Sequence, residues 1–459
     1  MGTRMPLIVI IVSICIGLFI IAKEKFITES ERPNLDLQKW WGPGNRPEIE
    51  DNSIRPFNIE FNDTMIKDLK QRLKNRRRFT KSLDGMQSFY GINADYLEEK
   101  LTYWESKYDF KKRIESLNKF PHFKTRIQGL DLHYIRVKPK VKGDTQVLPL
   151  LMLHGWPSSS KEFDKVIPML TAPRDGYQFV FEVVAVDLPG FGFSEGTNKP
   201  GLNPVQMAII IRNLMLRLNF EKFYIQAGDW GSQCATHLST LFPDNVLGFH
   251  TNMPVSSRPI SMIKLLIGSL FPSLIDSDRP ERVYPLKKYF NYLMKEGGYF
   301  HIQSTKPDTV GYALTDSPAG LAAYMMEKIA ICSNRNQLDT IHGGLDNLDI
   351  DDVLDTVTIT WMNECIVTSM RIYAEGVSSD EINAVHNIPT KVPTAAIKFL
   401  DEVVYQPNWI LRDKFHNLVQ STIVDYGGHF AALHTPKELV DDIFEATVKF
   451  MKYHSTQKE

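Results

Sequence analysis

A turn of small residues around Asp229 is the feature that most constrains what this chain can fold into. Residues 227, 228, 231 and 232 are Ala, Gly, Gly and Ser, and they lie between an apolar run, Phe223 to Gln226, and a helix-like stretch, Gln233 to Leu241. This layout is typical of a nucleophile elbow, in which a strained turn from strand to helix holds the central side chain above a sheet and leaves no room for large neighbours. An aspartate that caps a helix N-terminus gives a similar hexapeptide, so the turn alone leaves both interpretations open.

Strand-like runs that alternate with helical segments begin near Val147 and predict a mostly parallel sheet. The runs lie at residues 148–153, 183–186, 223–226, 246–253, 392–399 and 421–426. Open α/β sheets bind their ligands at the C-terminal ends of such strands. Asp401 and Glu402 follow the fifth run, and His429 follows the sixth in a glycine-rich loop. The order nucleophile, acid, histidine along the chain indicates an α/β-hydrolase fold.

The charge balance and the cysteine content exclude several other functions. The 459 residues carry 53 Lys and Arg against 54 Asp and Glu, so the chain provides no overall positive field for nucleic acid. The four cysteines, at 15, 234, 332 and 365, are too few and too scattered for a disulfide framework or a zinc site. We therefore expect no nucleic-acid partner and no metal centre.

The N-terminus departs from this globular average. Residues 6–22 are 17 consecutive residues without a charge, which as a helix extend over about 25 Å. That length predicts a transmembrane anchor suited to the thin bilayer of the endoplasmic reticulum. A cleaved signal peptide is the alternative, although Ile20 occupies a position where cleavage requires a small residue.

The charges around this run predict a single-pass topology with the body of the protein in the cytosol. Lys23, Lys25 and Arg32 follow the run, whereas Arg4 and the amino terminus precede it. Residues 23–50 are then a polar linker. A glycan on the Asn62 sequon would contradict this topology, because only a lumenal body is glycosylated.

Four stretches of the chain carry a resemblance to a known family. They are His154-Gly155-Trp156-Pro157, Gly228-Asp229-Trp230-Gly231, Gly298 to Thr309 and Gly427-Gly428-His429-Phe430. Together they resemble the microsomal epoxide hydrolase family, and within it the juvenile hormone epoxide hydrolases. The resemblance extends over the anchor, a segment at 51–145 that packs on the core, the α/β-hydrolase core at 146–254 and 375–459, and a helical lid at 255–374.

The resemblance and the chemistry together imply a role for each candidate catalytic residue. They are Asp229 as the nucleophile, His429 as the general base, Glu402 as the acid that orients it, Tyr299 and Tyr373 as lid tyrosines that hold and protonate the epoxide oxygen, and Trp156 and Trp230 as sources of backbone N–H groups for the oxyanion. Asp401 is an alternative to Glu402, because the residues before this pair depart from the usual family motif.

The expected reaction converts a lipophilic epoxide, for which juvenile hormone is the leading expectation, to a vicinal diol through an ester on Asp229. Water is the second substrate, membrane lipid is a partner, and no cofactor is required. The apolar sequence Met262 to Leu274 either lines a long channel for this substrate or packs as a helix of the lid.

Two alternative functions remain. A haloalkane dehalogenase also has an Asp elbow followed by Trp, but the two lid tyrosines favour an epoxide. A relative that only binds a lipophilic ligand would lack one or more of the active groups, and this chain has all of them.

Overall fold

A single mixed β-sheet carries the fold in the part of the chain that the computed structural model describes, residues 28–141, 143–275, 279–377 and 379–457. Its strands are β1 (Ile54–Phe57), β2 (His122–Ile127), β3 (Leu130–Val137), β4 (Gln146–Leu153), β5 (Phe179–Val186), β6 (Phe223–Ala227), β7 (Val246–Thr251), β8 (Thr394–Phe399) and β9 (Leu418–Val424). Their order across the sheet is β1-β2-β3-β5-β4-β6-β7-β8-β9.

The six strands from β4 to β9 are parallel, which agrees with the six runs predicted from the sequence. Strands β1, β2 and β3 lie at one edge of the sheet. All their pairings are antiparallel: β1 with β2, β2 with β3, and β3 with β5. A tight turn joins β2 to β3 at Gln128 and Gly129, which both have positive φ, of 50° and 88°. The N-terminal segment therefore contributes three strands to the sheet itself.

The α-helices connect and cover these strands. They are α1 (Asp63–Lys74), α2 (Ala94–Ser106), α3 (Phe110–Leu117), α4 (Ile167–Thr171), α5 (Pro204–Arg217), α6 (Asp229–Leu241), α7 (Pro259–Leu270), α8 (Leu286–Glu296), α9 (Gly298–Thr305), α10 (Pro307–Asp316), α11 (Pro318–Ser333), α12 (Ile350–Met362), α13 (Ile366–Val377), α14 (Asp380–Asn387), α15 (Asn408–Leu411), α16 (Ala431–His434) and α17 (Pro436–Thr456). Short 3₁₀ helices lie at Ser160–Lys165, Pro243–Asn245, Pro272–Leu274, Pro280–Arg282 and Leu345–Asn347.

Two apolar cores lie on the two faces of the sheet, as the alternation of side chains along a buried strand requires. In β5, Val184 and Val186 belong to the core that includes α5, α6 and the lid, whereas Val183 and Ala185 belong to the core beneath α17. Both faces of the central strands are therefore buried, and the polar loops lie at the C-terminal ends of the parallel strands.

The helices α7 to α13 lie between β7 and β8 in the chain, in the interval where a lid is expected. The lid is attached to the core by polar contacts as well as apolar ones. The guanidinium of Arg282 donates hydrogen bonds to the carbonyls of Leu400 and Glu402, and Lys264 pairs with Asp413.

The described part of the N-terminal linker packs along the core. Trp41 is buried, its backbone N–H donates to the carbonyl of Gln128 over 2.8 Å, and its own carbonyl accepts from the hydroxyl of Thr197. The predicted anchor at residues 6–22 lies outside the described residues. Within the residues that are described, no helix combines the length and apolar character needed to cross a membrane.

Candidate active site

The loop between β6 and α6 has the geometry of a nucleophile elbow. Asp229 is the first residue of α6 and has a φ of 46°, a left-handed conformation that non-glycine residues adopt only under strain. A Cβ at Gly231 would overlap the carbonyl oxygens of Leu153 and His154, and one at Gly155 would overlap the Asp229 carboxylate. The small residues of this turn therefore allow β4 and the elbow to approach closely.

The carboxylate of Asp229 has two partners. Its Oδ1 accepts a hydrogen bond of 2.7 Å from the backbone N–H of Trp156. Its Oδ2 lies 3.2 Å from Nε2 of His429. The backbone N–H of Trp156 and the imidazole of His429 thus flank the carboxylate that would attack a substrate.

Glu402 holds the other side of the His429 ring. Its Oε1 lies 2.6 Å from Nδ1 of His429 and also accepts from the N–H of Val403 over 2.7 Å. The main chain of His429 is fixed as well, because its N–H donates to the carbonyl of Cys332 in α11 and its carbonyl accepts from Asn252. This arrangement fixes the orientation of the imidazole.

Asp401, the alternative acid, points elsewhere. Its Oδ1 accepts a hydrogen bond of 3.2 Å from the Asn336 amide and lies 3.5 Å from Nε of Arg335. Of the two neighbouring carboxylates, Glu402 is therefore the one in contact with the imidazole of His429.

The charges around His429 decide its protonation. Burial lowers the pKa of this imidazole, but the carboxylates of Glu402 and Asp229 outweigh burial and hold the pKa well above its usual value. The imidazole therefore carries a proton while both carboxylates are ionised. Loss of the charge on Asp229 would remove one of the two carboxylates that raise this pKa, so the pKa of His429 would fall.

Tyr299 and Tyr373 come from neighbouring lid helices, α9 and α13, which pack against each other. The Tyr299 ring is stacked on Trp156 at a centroid distance of 5.8 Å, and the Tyr373 ring meets Trp230 edge-on at 4.8 Å. Burial raises the pKa of both phenols well above the usual value. Both hydroxyls therefore remain protonated at neutral pH and can donate to an oxygen on the substrate.

These groups share one cavity of about 500 Å³. Asp229, His429, Tyr299 and Tyr373 all line it, together with apolar side chains that include Met253, Leu293, Phe300, Ile331, Val377 and Val404. A mostly apolar cavity with a few convergent polar groups suits a lipophilic substrate that is held at one reactive point.

Several polar residues near this cavity were not among the site residues predicted from the sequence. Gln233 and His237 line it one and two turns further along α6 than Asp229, and the helical spacing of four residues is the signal that could have found them. Glu162 is a further case, since burial raises its pKa to about 7 in the neighbourhood of Asp229 and Glu402. Glu162 lies in a short 3₁₀ helix, Ser160–Lys165, and no residue spacing in the sequence links it to the predicted site.

The sequence Met262 to Leu274 does not line the cavity, so the first interpretation of this segment was wrong. It forms α7 and a 3₁₀ turn, and Leu266, Leu270 and Phe271 are 59%, 74% and 58% exposed. The segment is instead a helix in the interval of the lid, as the second interpretation has it, and these three apolar side chains are exposed.

His154 is buried in the loop before Trp156, and both of its ring nitrogens contact the main chain. Nε2 accepts from the N–H of Leu188 over 3.1 Å, and Nδ1 lies 2.9 Å from the carbonyl of Gly155. These contacts fix the imidazole between the loop main chain and Leu188. Among the described residues, no group of three or more His, Cys, Asp and Glu side chains is arranged to hold a metal ion.

Comparisons with known proteins agree with this geometry. The family described as "Epoxide hydrolase N terminus" matches residues 54–163, and the family described as "alpha/beta hydrolase fold" matches residues 149–273. The juvenile hormone epoxide hydrolase of Manduca sexta is 70% identical over 429 residues, which cover 93% of this chain and 93% of that protein. Epoxide hydrolase 1 of Sus scrofa is 42% identical and covers 91% of this chain and 94% of its own length.

The fold is also similar to a solved structure. The crystal structure of juvenile hormone epoxide hydrolase from the silkworm Bombyx mori superposes with a TM-score of 0.90 at 42% sequence identity, covering 92% of this chain and 100% of the other. These identities and coverages are well above what a shared fold alone produces. The chain therefore belongs to the epoxide hydrolase family of α/β hydrolases.

Proposed function

We propose that this epoxide hydrolase converts juvenile hormone, or a lipophilic epoxide of the same kind, to a vicinal diol through an ester on Asp229. One observation carries the proposal. The Asp229 carboxylate lines the same apolar cavity as two protonated phenols, and it contacts the N–H of Trp156 and the imidazole of His429. Each group needed to form an ester and then hydrolyse it lies within this arrangement.

In the first half of the reaction, a carboxylate oxygen of Asp229 attacks an oxirane carbon from the side opposite the ring oxygen. A bond forms between carbon and the carboxylate oxygen, and the bond between that carbon and the ring oxygen breaks. Tyr299 and Tyr373 donate hydrogen bonds to the ring oxygen and supply the proton that the resulting alkoxide takes up. Their raised pKa keeps the proton available until the alkoxide, a stronger base than a phenolate, has formed.

In the second half, His429 acts on water. Esterification removes the charge of Asp229, which lowers the pKa of His429, and the proton that leaves the imidazole balances the proton that the tyrosines gave up. The neutral imidazole then takes a proton from water, and the oxygen attacks the carbonyl carbon of the ester. The N–H groups of Trp156 and Trp230 stabilise the oxyanion. Its collapse breaks the bond between the carbonyl carbon and the ester oxygen, and this oxygen takes a proton from the imidazolium of His429 to give the diol. The carboxyl group of Asp229 then returns a proton to His429 and is again a carboxylate.

The choice of juvenile hormone rests on relatives and on the cavity. The Manduca sexta and Bombyx mori relatives carry that hormone in their names. Juvenile hormone is a sesquiterpenoid with an epoxide at one end and a methyl ester at the other, and an elongated neutral molecule suits a cavity of about 500 Å³ with mostly apolar walls.

The proposal includes a site of action at the endoplasmic reticulum membrane, with residues 6–22 as the anchor and the body in the cytosol. The carbonyl of Thr28, the first described residue, accepts a hydrogen bond of 2.8 Å from Asn387 at the end of α14. Leu266 and Leu270 on α7, with Phe271 directly after it, form an exposed apolar face. Contact of this face with lipid would remove its apolar area from water.

A triple variant of this face tests the proposed contact with membrane lipid. With glutamine at Leu266, Leu270 and Phe271, turnover of juvenile hormone presented in vesicles is expected to fall, while turnover of a short water-soluble epoxide is retained. Ile49→Gln is the matched control, since Ile49 is 88% exposed and lies outside the lid. Equal rates on vesicle-bound hormone for the triple variant and the control would exclude lipid contact through α7.

Product analysis tests the activity itself. The full-length protein, incubated with juvenile hormone, is expected to give the diol with its methyl ester intact. The same ester without the epoxide is expected to remain unchanged. Release of the free acid from either compound, or the absence of diol, would contradict the proposed function.

A further inference from the structure

Two histidines lie side by side in the wall of the active-site cavity. His237 on α6 and His386 on α14 both line it, and their rings are stacked at a centroid distance of 5.1 Å. His237 is only 1% exposed, and its Nδ1 is buried without a hydrogen-bond partner. A buried polar atom without a partner costs free energy unless a ligand or water satisfies it.

The position of His237 relative to the nucleophile is set by one helix. Asp229, Gln233 and His237 occur at intervals of four residues on α6 and all line the cavity, so one face of the helix forms a continuous wall. His237 follows Asp229 by eight residues, which corresponds to about 12 Å along the helix axis. An extended sesquiterpenoid chain spans a comparable length.

Both imidazoles are uncharged at neutral pH. Burial, the neighbouring His386 and the ammonium of Lys414 lower the pKa of His237 well below its usual value. Burial and Lys414 lower the pKa of His386 to about 4. Nζ of Lys414 donates to the carbonyls of Val385 and Ile388, at the C-terminal end of α14, and burial lowers the pKa of this amine itself to about 7.

A neutral imidazole has one N–H donor and one bare nitrogen. The pair can therefore donate a hydrogen bond to an oxygen of a ligand without placing a positive charge in the apolar cavity. An uncharged acceptor fits this environment, because a carboxylate would lose its hydration without gaining a cation there from either imidazole.

We infer that His237 and His386 form a distal subsite that binds the ester carbonyl of a long lipophilic epoxide by donating a hydrogen bond to it, while the oxirane lies at Asp229. The inference rests on the proposed function and adds a determinant of substrate choice to it. The distal hydrogen bond selects long epoxides with a carbonyl at the far end over hydrocarbon epoxides of the same length. It also places the chain along α6, so that the oxirane carbon reaches the nucleophile.

The test compares two substrates in each enzyme. One is a terpenoid epoxide with a terminal methyl ester, and the other has the same length and epoxide but a methyl ether in place of the ester. The wild type is expected to prefer the ester in kcat/KM, mainly through a lower KM. In His237→Leu this preference falls by about three- to tenfold, as the loss of one hydrogen bond predicts. Because both rates come from the same preparation, an inactive fraction of the variant cancels in the ratio.

His386→Leu is the second variant and is expected to reduce the ratio in the same direction. His434→Leu is the matched control, because Nδ1 of His434 is also buried without a partner but this residue does not line the cavity. A ratio that stays at the wild-type value in both His237→Leu and His386→Leu would overturn the subsite while diol formation still supports the proposed function. If the wild type forms diol from neither substrate, the proposed function fails, independently of the subsite.

Discussion

Oδ2 of Asp229 lies 3.2 Å from Nε2 of His429, so the carboxylate proposed as the nucleophile and the imidazole proposed to activate water are in direct contact. In the proposed mechanism, this contact couples the two halves of the reaction. The charge of Asp229 contributes to the raised pKa of His429, and ester formation removes that charge. The nucleophilic step thereby prepares the base for the hydrolytic step.

This coupling predicts different pH profiles for the two halves. Ester formation should be nearly independent of pH between about 6 and 9, because burial keeps both tyrosines protonated. Ester hydrolysis requires a neutral His429 and should slow as the pH falls below the pKa of His429 in the ester. Rapid-quench single turnovers at several pH values should therefore show more ester at acid pH. A loss of ester formation towards pH 9 would contradict the role of the phenols.

The orienting acid is tested by a pair of neighbouring variants. Glu402→Gln should slow ester hydrolysis by about 10²- to 10⁴-fold, because the contact of 2.6 Å with Nδ1 of His429 loses its charge. Asp401→Asn should have a much smaller effect, since Asp401 contacts Asn336 and Arg335 instead. Single-turnover kinetics of both variants measure the difference, and the opposite ranking would reassign the acid to Asp401.

The tyrosines are tested on the other half of the reaction. Tyr299→Phe and Tyr373→Phe should each slow ester formation by about 10²-fold, the usual cost of removing one donor to a developing oxyanion. The double variant should nearly abolish ester formation. Because the aromatic rings are retained, the ring contacts with Trp156 and Trp230 should persist. Unchanged rates of ester formation in the double variant would remove both tyrosines from the mechanism.

The space around the nucleophile predicts a strong effect of one methyl group. Gly155→Ala should abolish turnover, because a Cβ there overlaps the Asp229 carboxylate. Gly298→Ala is the matched control, since a Cβ at Gly298 meets no atom within 4 Å. Diol formation and circular dichroism of both proteins provide the readouts. Wild-type turnover by Gly155→Ala would show that the Asp229 carboxylate does not react from this position.

The sequence could predict the core of the fold because its signals are local. Each parallel strand is a continuous apolar run, and the small residues of the elbow identify the turn at Asp229 without any knowledge of the rest of the chain. The fold class is confirmed. Strands β1 to β3 had weaker signals, since β1 has only four residues, although the Gln128-Gly129 turn is typical of a hairpin.

The site required tertiary information in several places. Asp401 and Glu402 are adjacent in the chain, and only their side-chain directions show which one contacts His429. The outward face of α7 depends on how the helix is rotated against the core, which its mostly apolar sequence does not specify. His237 and His386 are 149 positions apart and meet only in the folded cavity.

The ester on Asp229 is the central claim, and His429→Gln tests it most directly. This variant should still attack a lipophilic epoxide but should fail to hydrolyse the product, so the ester should accumulate. Mass spectrometry after proteolysis is expected to find the mass of the substrate added to the peptide that contains Asp229. An unmodified peptide, in a variant incubated under conditions where the wild type converts the epoxide to diol, would contradict the covalent mechanism.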